Sequence, residues 1–218
     1  MMTNIKNKKS TLKGNSTKSK ILKHSLKLFS SKGFKATTVR DIAATINIKQ
    51  SALYNHFKNK DEILETLIKE LTSSAIVKLF DNKDTSELHK EGKNILMSIG
   101  TTFKLLSFDG QNEALFKLLM QELFKNDKIR EIYNEYFYQE NVKKLSGILF
   151  AMMQEDIIKS SDPLLLANEF FSPLFFYQMQ VSLLKLDNKS TSSVVSLFEK
   201  HVEYFWDNIK VENSNTLF

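Results

Sequence analysis

Lys49, Gln50, Ser51 and Asn55 form a short polar row between two apolar runs, and these side-chain types suit one kind of chemistry. The amides of Gln50 and Asn55 each pair a donor with an acceptor and fit the N6/N7 edge of adenine. The Lys49 ammonium can donate to O6 and N7 of guanine. Charge of one sign gathers around this row. Residues 1–60 carry 13 lysines and Arg40 against a single acid, Asp41, a net charge of +13, although the whole 218-residue chain is only +6. Residues 61–218 are correspondingly −7. A basic small segment on an acidic larger one is the electrostatic footprint of a nucleic-acid reader. Charge alone leaves DNA, RNA and an anionic lipid surface open.

Other chemistries lack their residues. With no cysteine there is no disulfide framework, thiolate metal site or thiol nucleophile. No G-x-G-x-x-G, H-E-x-x-H or G-x-S-x-G run occurs. A helical-bundle di-iron enzyme, the alternative from another class, would need Glu-x-x-His pairs. The residues three before His24, His56, His89 and His201 are Ile21, Leu53, Ser86 and Phe198. We therefore expect no catalytic residue, no metal ligand and no cofactor. The longest uncharged stretch, Phe170 to Leu184, holds Pro173, Gln178 and Gln180 and falls short of the roughly 20 apolar residues of a membrane span. No apolar segment follows the N-terminal lysines as in a signal peptide. A cytoplasmic protein with no membrane contact is expected.

The elements that must position the polar row read as helices. Only 2 prolines and 6 glycines punctuate the chain, too few for a many-stranded protein. Residues 1–15 are Lys/Asn/Ser/Thr-rich and predict a disordered basic arm. A first helix should start at Ser16 or Thr17, bury Ile21, Leu22, Leu26 and Phe29, and stop at Gly33. Thr38 and Asp41 have capping-box spacing before a short second helix. Thr45 to Ile48 is a tight turn in which Asn47 can turn left-handed. A third helix, Gln50 to Phe57, should bury Leu53 and Phe57. Asn59 and Glu62 then cap a long fourth helix that runs towards Phe80, with Ser86 capping the next. Further amphipathic helices cover Asn112 to Lys125 and Ile129 to about Met153. Asp162-Pro163 opens a helix that is apolar nearly all round, and Thr191 to Ile209 forms the last. The fold expected is all-α, about nine helices without strands. Its parts are a basic arm at 1–15, a helix-turn-helix domain at 16–62 and a larger helical domain at 63–218.

At this point a resemblance becomes specific. The run from Leu28-Phe29 through Gly33-Phe34, Thr37-Thr38-Val39 and Ile42-Ala43 resembles the tetracycline-repressor (TetR/AcrR-type) family of transcriptional regulators. Leu53-Tyr54-Asn55-His56-Phe57-Lys58-Asn59-Lys60-Asp61-Glu62-Ile63-Leu64 is similar to that family's L-Y-x-H-F-x-[SN]-K-[ED]-x-L. Two positions depart from the pattern: Asn47 stands where the turn usually has Gly, and Lys49 where Ser usually caps the third helix. The resemblance implies a one-component regulator, most simply a repressor, that binds an inverted-repeat DNA operator as a homodimer and is released by a small-molecule effector. It implies that the third helix enters the major groove, so that Lys49, Gln50, Ser51 and Asn55 read bases. Thr38, Tyr54, His56 and Lys60 match positions that grip phosphate, and Arg40 can reach either. A helix-turn-helix protein of the same fold that works without a small ligand is the alternative.

In the larger domain the resemblance implies an effector cavity in the middle helices and pairing of the last two across a two-fold axis. The apolar excess of Leu164–Leu184 and the Val194–Ile209 face fit such an intersubunit bundle; a deep core within one subunit fits them too. Candidate cavity residues are Phe103, Phe116, Met120, Phe124, Tyr133, Phe137, Phe171, Phe175 and Tyr177. Such walls suit an apolar or flat aromatic effector, or a cation facing the rings.

Overall fold

The computed structural model describes the backbone of residues 3–72 and 87–212, and the side chains of 16–71, 87–135 and 139–212. The end of the fourth helix near Phe80, the Ser86 cap and the Phe137 side chain lie outside the described residues. Among those described, structure is helical, apart from one isolated bridge between Ile158 and Lys210.

The helices are α1 (Thr3–Lys32), α2 (Val39–Thr45), α3 (Gln50–Tyr54), α4 (Lys60–Thr72), a 3-10 turn (Leu88–Glu91), α5 (Lys93–Phe108) and α6 (Gly110–Glu122). After them come α7 (Asp127–Ile132), a π-helical stretch (Tyr133–Val142), α8 (Lys143–Gln154), α9 (Pro163–Leu186), α10 (Ser192–Val195) and α11 (Leu197–Ile209). With residues 127–154 and 192–209 each counted as one rod, the described residues hold nine, as expected. The segment 1–15, read as an arm, is helical from Thr3, and its side chains lie outside the described ones.

The chain divides into two compact units. One holds residues 1–71 and 114–132; the other holds 72–113 and 133–218. The core of the first is built from Ile21 and Phe29 of α1, Ile42 of α2, Leu53 of α3, and Ile63 and Leu67 of α4, all at most 1% exposed. Phe34 closes it edge-on against Phe29, ring centroids 5.1 Å apart.

The second unit is a helix bundle in which α9 packs on α8, α5 and α11, and α5 packs on α11. Asp162 starts α9 by accepting from the amides of Leu164 at 2.8 Å and Leu165 at 3.1 Å, with Pro163 at the first turn. Two glycines allow close approach. A Cβ on Gly100 would sit 2.5 Å from Val202 Cγ2, so α5 and α11 meet nearly backbone to side chain. Gly92 has φ +54° and lies against the Trp206 ring.

Of the two readings of the Val194–Ile209 face, the structure has the core within one subunit: Val194, Phe198, Val202, Phe205 and Ile209 are buried with Phe170 and Leu174. Phe205 and Phe170 meet edge to face at 5.1 Å. Large side chains that stay exposed include Leu165, Phe176 and Leu183 of α9, Phe150 of α8 and, on α11 itself, Tyr204.

Candidate nucleic-acid interface

The site grows out of the turns around α2 and α3. Gly33 ends α1 at φ +88°, and its amide donates to the Phe29 carbonyl at 3.0 Å. The chain then reaches buried Thr37, whose hydroxyl donates back to the Gly33 carbonyl at 2.9 Å. Thr38 caps α2 in a reciprocal box. Its Oγ1 accepts from the Asp41 amide at 3.1 Å, and Asp41 Oδ2 accepts from the Thr38 amide and hydroxyl, both at 2.8 Å. These bonds to Thr38, helped by Lys32 and Arg40, hold the Asp41 carboxyl below the ordinary aspartate value. Both Thr38 donors therefore point inward at Asp41, leaving its hydroxyl an acceptor towards solvent.

Asn47 turns the chain at φ +56°, with its amide on the Ala44 carbonyl and the next amide, of Ile48, on Ala43 at 3.0 Å. An asparagine in place of the usual glycine is thus compatible with a left-handed turn. Lys49 occupies the N-cap of α3 without a side-chain bond to it, which forgoes about 0.5–2 kcal/mol of capping. Helix α3 ends earlier than expected, at Tyr54, because Asn55 already donates its amide to the Leu53 carbonyl in a tighter turn. Leu53 and Phe57 still anchor it, at 0% and 1% exposure.

That anchoring leaves the other side of α3 in solvent. Lys49, Ser51, Tyr54 and Asn55 are exposed, Gln50 and His56 half-buried, and Arg40 of α2 exposed. Thr38, Val39, Arg40, Gln50 and Tyr54 together line a hollow of about 410 Å3. Four side chains from two short helices and the Thr38 cap thus share one concave, cationic to neutral surface. Val39 was not among the expected site residues; its apolar type gave no signal.

Lys60 is placed differently from its neighbours. Its Nζ donates to the Phe34 carbonyl at 2.7 Å and the Thr37 carbonyl at 2.8 Å, and lies 4.3 Å from the centre of the Phe34 ring. It ties the first turn of α4 to the loop that delivers Thr38. The start of α4 is capped as expected by Asn59, whose Oδ1 accepts from the Glu62 amide at 2.8 Å. The reciprocal bond comes from the Lys58 amide to Glu62 Oε2, one residue earlier than a regular box.

The expected cavity residues are scattered. Phe103 and Phe171 are buried in the second unit with ring centroids 5.9 Å apart. Tyr177, half-buried, sits edge-on to Phe198 at 5.5 Å, and Phe175 is also half-buried. Burial raises the pKa of the Tyr133 hydroxyl above the ordinary tyrosine value. Phe116, Met120 and Phe124 belong to the first unit; Phe116 is buried, Met120 half-buried, and Phe124 is 82% exposed. Among the described residues no cluster of His, Cys, Asp or Glu could hold a metal, and no helix is long and apolar enough to cross a membrane.

Residues 21–67 match the family model of bacterial regulatory proteins, tetR family. The HTH-type transcriptional regulator YerO of Bacillus subtilis (strain 168) is 31% identical over 127 residues, 57% of this chain and 42% of YerO. The biofilm operon icaADBC negative transcriptional regulator IcaR of Staphylococcus aureus (strain Newman) is 46% identical over 52 residues, 24% of this chain and 28% of IcaR. The chain thus spans less than half the length of these curated relatives. Among solved structures, the regulator FadR of Bacillus subtilis in complex with stearoyl-CoA has a TM-score of 0.66 and 23% identity, over 88% of this chain and 98% of that one. A transcriptional regulator from Saccharomonospora viridis in complex with choline has a TM-score of 0.67 and 17% identity, over 91% of this chain and all of its own. At such identities the likeness establishes the fold.

Proposed function

We propose that this chain, whose residues 21–67 are the DNA-binding domain of the tetR family on a fold shared with that family's regulators, is a one-component transcriptional repressor controlled by a small molecule. The observation that carries the DNA-reading half is the shared surface of α2 and α3, where Arg40, Gln50 and Tyr54 line one hollow beside exposed Lys49, Ser51 and Asn55. Gln50, Asn55, Lys49 and Ser51 read base edges in the major groove. Tyr54, His56 and Arg40 contact phosphate and set the register. The +13 charge of residues 1–60 draws the duplex in.

Two copies bind an inverted repeat, joined through the outward face of α9 at Leu165, Phe176 and Leu183. The effector enters the second unit and alters operator affinity. Structures of similar fold hold stearoyl-CoA or choline, so both long apolar and cationic ligands are accommodated by such bundles. The working place is the cytoplasm, with the operator as partner.

Selection of the full-length protein on a random double-stranded DNA library tests the reading. Enrichment of an inverted repeat with two equal half-sites is expected. Enrichment of a single half-site bound by one chain, or tighter binding to single-stranded RNA, overturns it.

A further inference from the structure

Helix α9 lays a core stripe through the second unit, and part-way along, that stripe changes character. Phe171 and Leu174 are followed at helical spacing by Gln178, Ser182 and then Lys185. Gln178 and Ser182 are each only 6% exposed. Neither side chain hydrogen-bonds to any described residue. The contrast with other helical serines is sharp. Ser98, Ser107 and Ser172 each donate to the carbonyl four residues back, at 2.9, 2.7 and 2.7 Å. Ser182 makes no such bond to Gln178. Nor are these polar tips sealed in the way of Ser25 Oγ, which is both inaccessible and unpartnered.

A glutamine amide carries two N–H donors and an acceptor oxygen. Because these tips keep a little accessible surface, water can serve them, and a ligand's polar group can take the place of that water. A hydroxyl one turn further along is in the same position. Two polar side chains without a protein partner among the described residues, adjacent on a mostly apolar stripe and still reachable, can receive the polar group of a ligand.

The surroundings decide the charge of that group. Lys185, the next turn beyond Ser182, donates to Glu113 Oε2 at 2.7 Å and to the Ser107 carbonyl at 3.2 Å, and lies 4.9 Å from the Phe108 ring centre. The cation and the acid at this end of α9 therefore neutralise each other. Towards the other end the rings of Phe103 and Phe171 pack 5.9 Å apart in the core, an aromatic neighbourhood for whatever reaches this stripe. We propose that Gln178 and Ser182 bind the uncharged polar end of the effector, an amide, hydroxyl or carbonyl carried on an aromatic body. This rests on the ligand-controlled reading above and gives it a ligand class.

Three probes of one body test it by titration calorimetry on the full-length protein: 1-naphthamide, naphthalene and 1-naphthylmethyl(trimethyl)ammonium. The wild type should bind the amide about tenfold or more tightly than either other probe. Gln178→Leu and the near-isosteric Gln178→Met should each bring amide affinity down to that of naphthalene while naphthalene binding persists. Ser182→Ala should do the same in smaller measure. Failure of the wild type to bind the amide, tightest binding of the cation, or unchanged amide affinity in both Gln178 variants overturns the proposal. Operator affinity measured in the same samples separates the two claims. Amide binding that leaves operator affinity unchanged counts against the ligand-controlled repressor and leaves this site standing. A different molecule that releases the operator equally from wild type and from both Gln178 variants does the reverse.

Discussion

Replacing Lys60 with Met separates a cation that binds DNA from one that builds the surface DNA binds. The methionine keeps the apolar stem over Phe34 and a good helix former in the first turn of α4, and removes only the ammonium. Two hydrogen bonds from a charged donor are lost, to the carbonyls of Phe34 and Thr37. The Phe34 carbonyl retains the Thr37 amide at 3.3 Å, whereas the Thr37 carbonyl, on a fully buried residue, retains no bond among the described residues. A charged hydrogen bond contributes about 1.5–3 kcal/mol and a half-satisfied partner recovers part of it, so we expect a loss of roughly 2–3 kcal/mol in the reader. That is a large share of the roughly 5–15 kcal/mol that holds a domain folded. Urea unfolding and hydrogen exchange of the Thr37 to Asp41 amides give the stability. Titration of operator DNA between low and moderate salt gives the number of phosphates neutralised. The clamp predicts lower stability, weaker binding to every sequence, and an unchanged slope of log K against log salt. If instead stability holds and the slope flattens by about 0.9 in each half-site, Lys60 is a phosphate contact and the argument is wrong.

The remaining expectations are briefer. Tyr54→Phe should weaken all DNA sequences alike, whereas Gln50→Ala or Asn55→Ala should cost about 1–3 kcal/mol on the selected operator and much less on one altered at the base read; equal losses on both DNAs would mean that α3 does not read bases. Ser25→Ala removes a sealed hydroxyl without a partner and should raise the stability of the first unit by about 1 kcal/mol in a urea melt, a fall being the contrary result. Phe198→Glu puts a charge in the core of the second unit and should unfold it, while Phe176→Glu with Leu183→Glu should leave a folded chain of 25.2 kDa by light scattering; a double variant that stays twice that mass removes the α9 dimer face. Gly100→Ala meets Val202 Cγ2 at 2.5 Å and should cost about 1–3 kcal/mol, with most of it recovered when Val202→Ala is added; no cost in the single variant would mean that α5 and α11 are not so close.

What the sequence makes legible is local. The Thr38–Asp41 box, the left-handed turns at Gly33 and Asn47, and the Asp162-Pro163 start all join residues within a few positions of one another, and the structure has each of them. The Lys60 clamp spans 23 and 26 positions, so no motif at Lys60 announces it. The π-helical stretch at Tyr133–Val142 escapes a reading tuned to 3.6 residues per turn, which sees one rod from Ile129 to Met153. The apolar stripe from Val194 to Ile209 was visible, but a stripe does not say which surface covers it. Here α5 and α9 of the same unit do. Gln178 and Ser182 are the converse case. Polar letters in an apolar helix look like a solvated edge until their place on the stripe shows that they are inside.

The seating of Trp206 beneath Gly92 also gives the molecule a built-in optical partition. Trp206 is the only tryptophan, and it belongs to the second unit; the first unit contains a single aromatic phenol, Tyr54. Emission excited on the red edge of indole absorption therefore follows the bundle alone, while far-ultraviolet circular dichroism weighs both units by their helix content. If the two units melt as one, the curves superimpose at every denaturant concentration. If the reader opens first, the dichroism falls while the indole emission is still native. The gap between the two curves then measures how much stability the first unit draws from itself.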